Sequence, residues 1–106
     1  MRFPVICVPS LPAQGMALFP FILVKRPQLK TDQVIINHET IHLMQQAEML
    51  VLPFYVFYLL NYLFNRMKGQ KHFQAYRNIA FEKEAYAMDR QLNYLTRRKL
   101  WAWTSF

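Results

Sequence analysis

The chain has 106 residues, of which 54% are hydrophobic and 16% aromatic, and it contains two glycines and one cysteine. This composition excludes a disordered chain, and the length allows a single domain spanning residues 1–106 with one modest core. Because apolar residues are abundant and glycine is nearly absent, we expect a compact, mainly α (α+β) fold. The lone cysteine, Cys7, excludes an internal disulfide and a cysteine-rich metal site.

The net charge of +7 is concentrated in the C-terminal part of the chain. After Phe64 there are nine Lys or Arg residues and three acids, whereas residues up to Phe64 include four and three. This excess of positive charge indicates either an acidic partner, such as anionic lipid or nucleic acid, or only a solvent-exposed charged face. Because the sequence contains no signature of a nucleic-acid-binding fold, nucleic acid is the weaker of the two partners.

Residues 1–30 are divided into short apolar runs by five prolines. They predict an extended N-terminal segment with a strand over residues 17–24, which Pro20 would confine to a sheet edge. An edge strand either binds an extended peptide by β-augmentation or only packs. The same prolines interrupt the apolar stretch after Arg2, so no cleaved signal peptide is predicted.

A long helix is predicted over residues 31–52, with Thr31 or Asp32 as its N-cap. It contains the H-E-x-x-H motif formed by His38, Glu39 and His42. Residues four apart lie on one face of a helix, so both imidazoles can bind one ion while Glu39 points at a metal-bound water.

Pro53 is expected to kink or break the chain before a second helix over residues 54–67, which Gly69 ends. The sixteen residues 49–64 carry no charge. At 1.5 Å per residue they extend about 24 Å, short of a hydrocarbon core of about 30 Å, so a full transmembrane span is not predicted. Their aromatic side chains either pack in the core or make peripheral membrane contact, and we expect a protein that is cytoplasmic or peripheral to the membrane.

A third helix is predicted over residues 78–99, with Asn78 as its N-cap. It offers two acids for a metal, Glu82 and Glu84, which cannot both be ligands because residues two apart point to nearly opposite sides. The apolar stripe of this helix passes closer to Glu84. Its basic end, Arg97-Arg98-Lys99, suits a helix C-terminus and could anchor at a lipid surface with the tryptophans that follow.

The H-E-x-x-H motif and the later segment F-E-K-E-A-Y at residues 81–86 resemble the gluzincin metallopeptidases, whose second motif often reads E-x-x-A-D or E-x-E-A-D. The layout is also similar to small bacterial proteins of unassigned function in that class. The resemblance implies a zincin-like minimal fold of about three helices with a short N-terminal β-strand or hairpin. It also implies Zn²⁺ bound by His38, His42 and Glu82, with Glu84 as the alternative third ligand.

Tyr86 stands where the gluzincin pattern has an aspartate. Asp89, one turn further on, could take over the role of that aspartate by accepting the second ring N–H of His38. Tyr86 could instead act catalytically by stabilising an oxyanion.

The function implied by the resemblance is a zinc-dependent metallopeptidase in which Glu39 acts as general base. The substrate would be a peptide or protein. The alternative is a noncatalytic zincin-like module that binds a membrane surface or another protein, with peripheral membrane contact through residues 49–64 and the basic C-terminus. The sequence gives no prediction of the oligomeric state.

Overall fold

The computed structural model describes residues 3–106, and within them four α-helices and a three-stranded sheet confirm the predicted mainly helical α+β class. The strands are β1 (Val5–Cys7), β2 (Gly15–Leu18) and β3 (Phe21–Val24). The helices are α1 (Gln33–Met49), α2 (Val51–Met67), α3 (His72–Arg77) and α4 (Ala80–Met88). Short 3₁₀ helices lie at Pro27–Thr31, Tyr94–Thr96 and Ala102–Ser105.

The sheet has β3 at its centre, with β1 parallel to it and β2 antiparallel. The prediction of one strand over residues 17–24 was wrong, because the chain turns back at the cis bond between Phe19 and Pro20. Proline lacks the N–H that a strand interior needs and therefore suits this turn. The predicted hairpin is present as β2 and β3, and its inner side chains pack against Leu43 of α1.

The N-cap of helix α1 is Asp32, one of the two predicted N-caps, and its carboxylate accepts the N–H groups of Val34 and Ile35 at 3.1 and 3.2 Å. The sheet covers one side of α1 and α4 covers another, so residues 37–46 are buried apart from Met44, which is half-buried. Polar side chains in this stretch must therefore find partners inside the protein.

The break between α1 and α2 lies at Leu50, which has a φ of 62°. The predicted helix end at residue 52 and the break at Pro53 were wrong. Pro53 lies instead in the first turn of α2, where a helix leaves its N–H groups unpaired and proline costs little. The chain bends by 110° between these two helices. No single helix in residues 3–106 has both the length and the apolarity to cross a membrane, and the bent pair of α1 and α2 meets these criteria by length and composition only.

The C-terminal end of α2 follows the prediction, since Gly69 adopts a φ of 92° just after the helix and donates its N–H to the Arg66 carbonyl at 2.9 Å. Helix α3 was not predicted from the sequence, which gave about three helices. It is a single short segment of six residues.

Helix α4 is far shorter than the predicted helix over residues 78–99, which was wrong at both ends. Its N-cap is Ile79 rather than Asn78, and the first N–H, that of Ala80, bonds the side chain of Asn61 at 2.8 Å. At the other end, the Asn37 amide donates to the carbonyls of Met88, Asp89 and Gln91 at 3.4, 2.8 and 3.1 Å. Side chains of α2 and α1 therefore satisfy the end groups of α4 and fix its length.

Candidate metal centre

Three predicted ligands converge between α1 and α4. His38 and His42 lie one turn apart on α1, and Oε1 of Glu82 on α4 lies 3.3 Å from Nε2 of His38 and 3.1 Å from Nε2 of His42. All three residues are buried, and one ligand atom from each lies within 4.8 Å of the others. This group could hold a metal ion.

The two separations from Glu82 Oε1 are close to those around a small tetrahedral ion. With metal–nitrogen and metal–oxygen bonds of about 2.0–2.1 Å, two corners of a tetrahedron lie about 3.3–3.4 Å apart. The observed separations from Glu82 Oε1 are 3.3 and 3.1 Å. Two nitrogen lone pairs and a carboxylate that face one another in a buried space repel, unless a cation or a proton lies between them.

The remaining ring nitrogen of His38 is bound by Asp89. Nδ1 of His38 lies 3.0 Å from Oδ2 of Asp89, the residue directly after α4. A carboxylate accepts hydrogen bonds, so Nδ1 carries a hydrogen, and Nε2 is the ring nitrogen that faces the metal position. Asp89 thus lies where the sequence predicts a replacement for the missing aspartate.

His42 is oriented by Gln45, a residue that the sequence analysis did not single out. The Gln45 Nε2 donates to the carbonyl of Phe81 at 3.1 Å and to Glu84 Oε1 at 2.9 Å. Because both partners are acceptors, the Gln45 oxygen must point the other way, and it lies 2.7 Å from Nδ1 of His42. Nδ1 of His42 therefore carries a hydrogen as well. The available sequence signal was a glutamine three residues after the second histidine, which places it near His42 on the same side of α1.

Glu84, the alternative ligand, lies outside the metal group. Its fully buried carboxylate bonds Arg98, with Oε2 2.5 Å from Nε and Oε1 3.0 Å from Nη2, and accepts the Tyr94 hydroxyl at 2.6 Å. Arg98 also bonds both oxygens of Glu48, at 2.9 and 3.1 Å. Two acids therefore hold the Arg98 guanidinium inside the protein, and Arg98 lies beyond the end of α4 rather than at a helix C-terminus.

The second carboxylate oxygen of Glu82 is held by Tyr58 of α2, whose hydroxyl donates to Oε2 at 2.6 Å. This bond leaves Oε1 for the metal position. Burial alone would raise the pKa of Glu82, but His42 and the hydrogen bonds from His38, His42 and Tyr58 hold it well below its usual range. Glu82 is therefore a carboxylate at neutral pH.

Glu39 lies beside this group and lines a cavity of about 260 Å³ together with both histidines and Glu82. Burial raises the pKa of Glu39, as does the Glu82 carboxylate, while His42 and His38 oppose the rise. A carboxylate with a raised pKa is a better proton acceptor near neutral pH. The close approach of β2 depends on Gly15, because a Cβ there would lie 3.1 Å from Glu39 Oε2 and 3.2 Å from Ile35.

Tyr86 contacts the site through its ring. The ring centroid lies 4.6 Å from that of His38 in an edge-on arrangement, and the guanidinium of Arg77 lies 3.8 Å above the Tyr86 ring. The Tyr86 hydroxyl lies 2.9 Å from that of Tyr76. Tyr76 lines the cavity together with Glu39, and both tyrosines line an adjoining depression. Tyr76 is therefore a cavity residue that the sequence analysis missed.

The outer edge of β2 forms one wall of the cavity through Gly15, Met16 and Ala17. The N–H of Lys25 bonds the Gln14 carbonyl at 2.9 Å, so antiparallel alternation turns the backbone groups of Gly15 and Ala17 away from β3. The Ala17 carbonyl is bound by the Tyr55 hydroxyl at 2.5 Å and by Gln46 Nε2 at 3.0 Å. Of these two residues, it is therefore Gly15 whose backbone groups remain to face the cavity.

The site brings together His38, Glu39, His42, Glu82 and Asp89, and it does not include Glu84. Comparisons of the chain with protein-family models, with curated proteins and with solved structures found no match. The function is therefore inferred from the geometry of these five residues.

Metal affinity at this site is expected to rise with pH. Burial is the largest influence on the pKa of His42 and lowers it, but the charge and hydrogen bond of Glu82, followed by smaller contributions, outweigh burial and raise the pKa to about 9. A metal must displace this proton, so affinity should increase about tenfold per pH unit up to about pH 9 and level off above it. Competition with a chromophoric chelator over this range measures the dissociation constant, and an affinity that does not change between about pH 7 and 9 would contradict the expectation.

The stability of the metal-free protein should change in the opposite direction. Histidine in the unfolded chain has a pKa of about 6.5, and the pKa of His42 is higher in the folded protein. Protonated His42 therefore stabilises the folded protein, and this stabilisation has its full value below about pH 6.5. It is lost as the pH rises through the folded value of about 9. Urea unfolding of the chelator-treated protein at several pH values provides the control, because only the metal-loaded form should gain stability with pH.

Proposed function

We propose that this protein is a zinc-dependent, gluzincin-like metallopeptidase, which hydrolyses peptide bonds with Glu39 as general base. The observation that carries the proposal is the convergence of His38, His42 and Glu82 on one point, with Glu39 beside them in a cavity. Two imidazoles and one carboxylate are a usual ligand set of catalytic zinc, and three protein ligands leave one position open for water.

Zinc bound to this group would lower the pKa of a water molecule and polarise the scissile carbonyl. Glu39 would accept the proton of that water and pass it to the leaving amine, a task that its raised pKa favours. Asp89 and Gln45 keep the Nδ1 hydrogens of the two histidines engaged, so that both Nε2 atoms are available as ligands. The Tyr76 hydroxyl in the cavity and the neighbouring Tyr86 hydroxyl are candidates to donate to the developing oxyanion.

The substrate in this proposal is an extended peptide that pairs with the outer edge of β2. Gly15 supplies backbone groups on that edge beside Glu39, and its lack of a side chain lets the edge approach the site. Backbone pairing of this kind selects for an extended conformation rather than for a particular side chain. The cavity of about 260 Å³ accommodates one side chain of the bound peptide.

The test uses a mixed peptide library and mass spectrometry. Protein loaded with one equivalent of zinc is expected to cleave internal peptide bonds, to stop after treatment with 1,10-phenanthroline, and to resume when zinc is returned. The metal-free protein is the control in the same preparation. Zinc-loaded, folded protein that cleaves no peptide in the library would overturn the peptidase proposal while leaving the metal site intact.

A further inference from the structure

Helix α2 points its polar side chains toward the protein. The Asn61 side chain accepts the N–H of Ala80 at 2.8 Å, and Asn65 donates to the carbonyl of Ala75 at 3.0 Å. Tyr58 on the same face donates to Glu82 at 2.6 Å. These three residues are buried or half-buried, so the polar groups of α2 are used in joining it to α3 and α4.

The opposite face of α2 is apolar and exposed. Its side chains include Leu52, Val56, Leu59, Leu60, Leu63, Phe64 and Met67, with exposed fractions between 46 and 84%. A helix at the surface of a protein in water normally has the reverse pattern, with apolar residues inside and polar residues outside. The pattern of α2 is that of a helix whose outer face contacts an apolar medium.

The apolar face is broad. At about 100° per residue, the seven exposed positions spread over about 140° of the helix circumference. A helix that pairs with one other helix needs only a narrow seam of two positions in seven. The width of the face therefore favours a continuous apolar surface, such as the acyl region of a lipid layer, over a single partner helix.

Basic side chains border the C-terminal end of this face. Arg66, Lys68 and Lys71 are exposed, and Lys68 Nζ lies 5.0 Å from the centre of the Phe64 ring. Phe73, which follows at the start of α3, is 66% exposed. Exposed apolar and aromatic residues next to lysines and arginines are the combination that binds the headgroup region of a membrane with anionic lipids.

We propose that the outward face of α2 docks onto the surface of a lipid bilayer that contains anionic phospholipids, with the helix lying in the plane of the membrane. Lipid acyl chains cover the exposed leucines, while phosphate groups pair with Arg66, Lys68 and Lys71. The opposite face of α2, with Phe54 and Tyr58, lines the cavity of the candidate metal centre and then faces the protein interior. The docking needs no metal, so it is independent of the proposed peptidase activity.

The test is sedimentation of metal-free protein with vesicles of phosphatidylcholine alone or mixed with phosphatidylglycerol. Wild type is expected to bind the anionic vesicles more tightly, and added salt should weaken that binding. A variant carrying Leu59→Glu and Leu63→Glu should bind at least about tenfold more weakly. The matched control carries Leu92→Glu and Leu100→Glu, two leucines outside α2 that are 51 and 79% exposed, and should bind like wild type.

Circular dichroism and zinc binding establish that each variant is folded. Wild-type protein that stays in solution with both kinds of vesicle would overturn the proposal, as would an equal loss of binding in the control variant. A dimer in analytical ultracentrifugation that the α2 substitutions dissociate, together with no vesicle binding, would assign the face to a second copy of the chain and also overturn it.

Discussion

Glu39→Gln is expected to reduce peptide hydrolysis by about 10²–10⁴-fold while leaving the zinc content unchanged, because an amide cannot accept the proton of the attacking water. Glutamine has nearly the volume of glutamate and fits the same space against Gly15. Glu39 is not one of the three converging ligands, so its loss should not release the metal. Initial rates and zinc content are measured on the same preparation.

The control for this variant is Asp32→Asn on the same helix. It removes one negative charge, and asparagine still caps the N-terminus of α1. This variant should keep both its zinc and its activity. A Glu39→Gln protein that cleaves peptides at the wild-type rate would show that another group is the base, and one that loses zinc would place Glu39 among the ligands.

Glu82→Gln and Glu84→Gln are expected to have opposite effects, although the two residues are only two positions apart. The Glu82 variant should fold but bind zinc more than about 100-fold more weakly, since losing a ligand costs more than the 10- to 100-fold caused by losing the hydrogen-bond partner of a ligand. The Glu84 variant should lose about 3 kcal/mol of unfolding free energy, because the buried Arg98 guanidinium loses one of its two acids.

Urea unfolding and zinc titration on both variants separate these effects. The folded fraction of the Glu84→Gln protein should still bind one equivalent of zinc, since Gln45 can keep its bond to the Phe81 carbonyl. Tight zinc binding by Glu82→Gln combined with loss of zinc from folded Glu84→Gln would reverse the assignment of the third ligand.

The local pattern of the sequence was enough to predict the start of helix α1 and the end of α2. Spacing of four residues places His38 and His42 on one side of a helix, and Asp32 and Gly69 act as helix signals through bonds within their own segment. These features depend on residues that are close in the chain. The mainly helical class follows from the same information.

Features set by distant residues could not be predicted in this way. Helix α4 ends at Met88 because Asn37, about fifty positions earlier, binds the carbonyls beyond it. Glu82 and Glu84 are both buried, and the partner that separates their roles is Arg98, which is held in a segment without regular helix. Helical periodicity reports which side chains are buried but not which partner each of them meets.

Metal content is the measurement that tests the central proposal most directly. Elemental analysis of the folded protein, purified without a metal-affinity tag and compared with His42→Ala, is expected to give about one zinc ion per chain for wild type and almost none for the variant. Folded wild-type protein that holds no zinc, even after reconstitution with excess metal at about pH 9, would contradict the zinc site and with it the peptidase proposal.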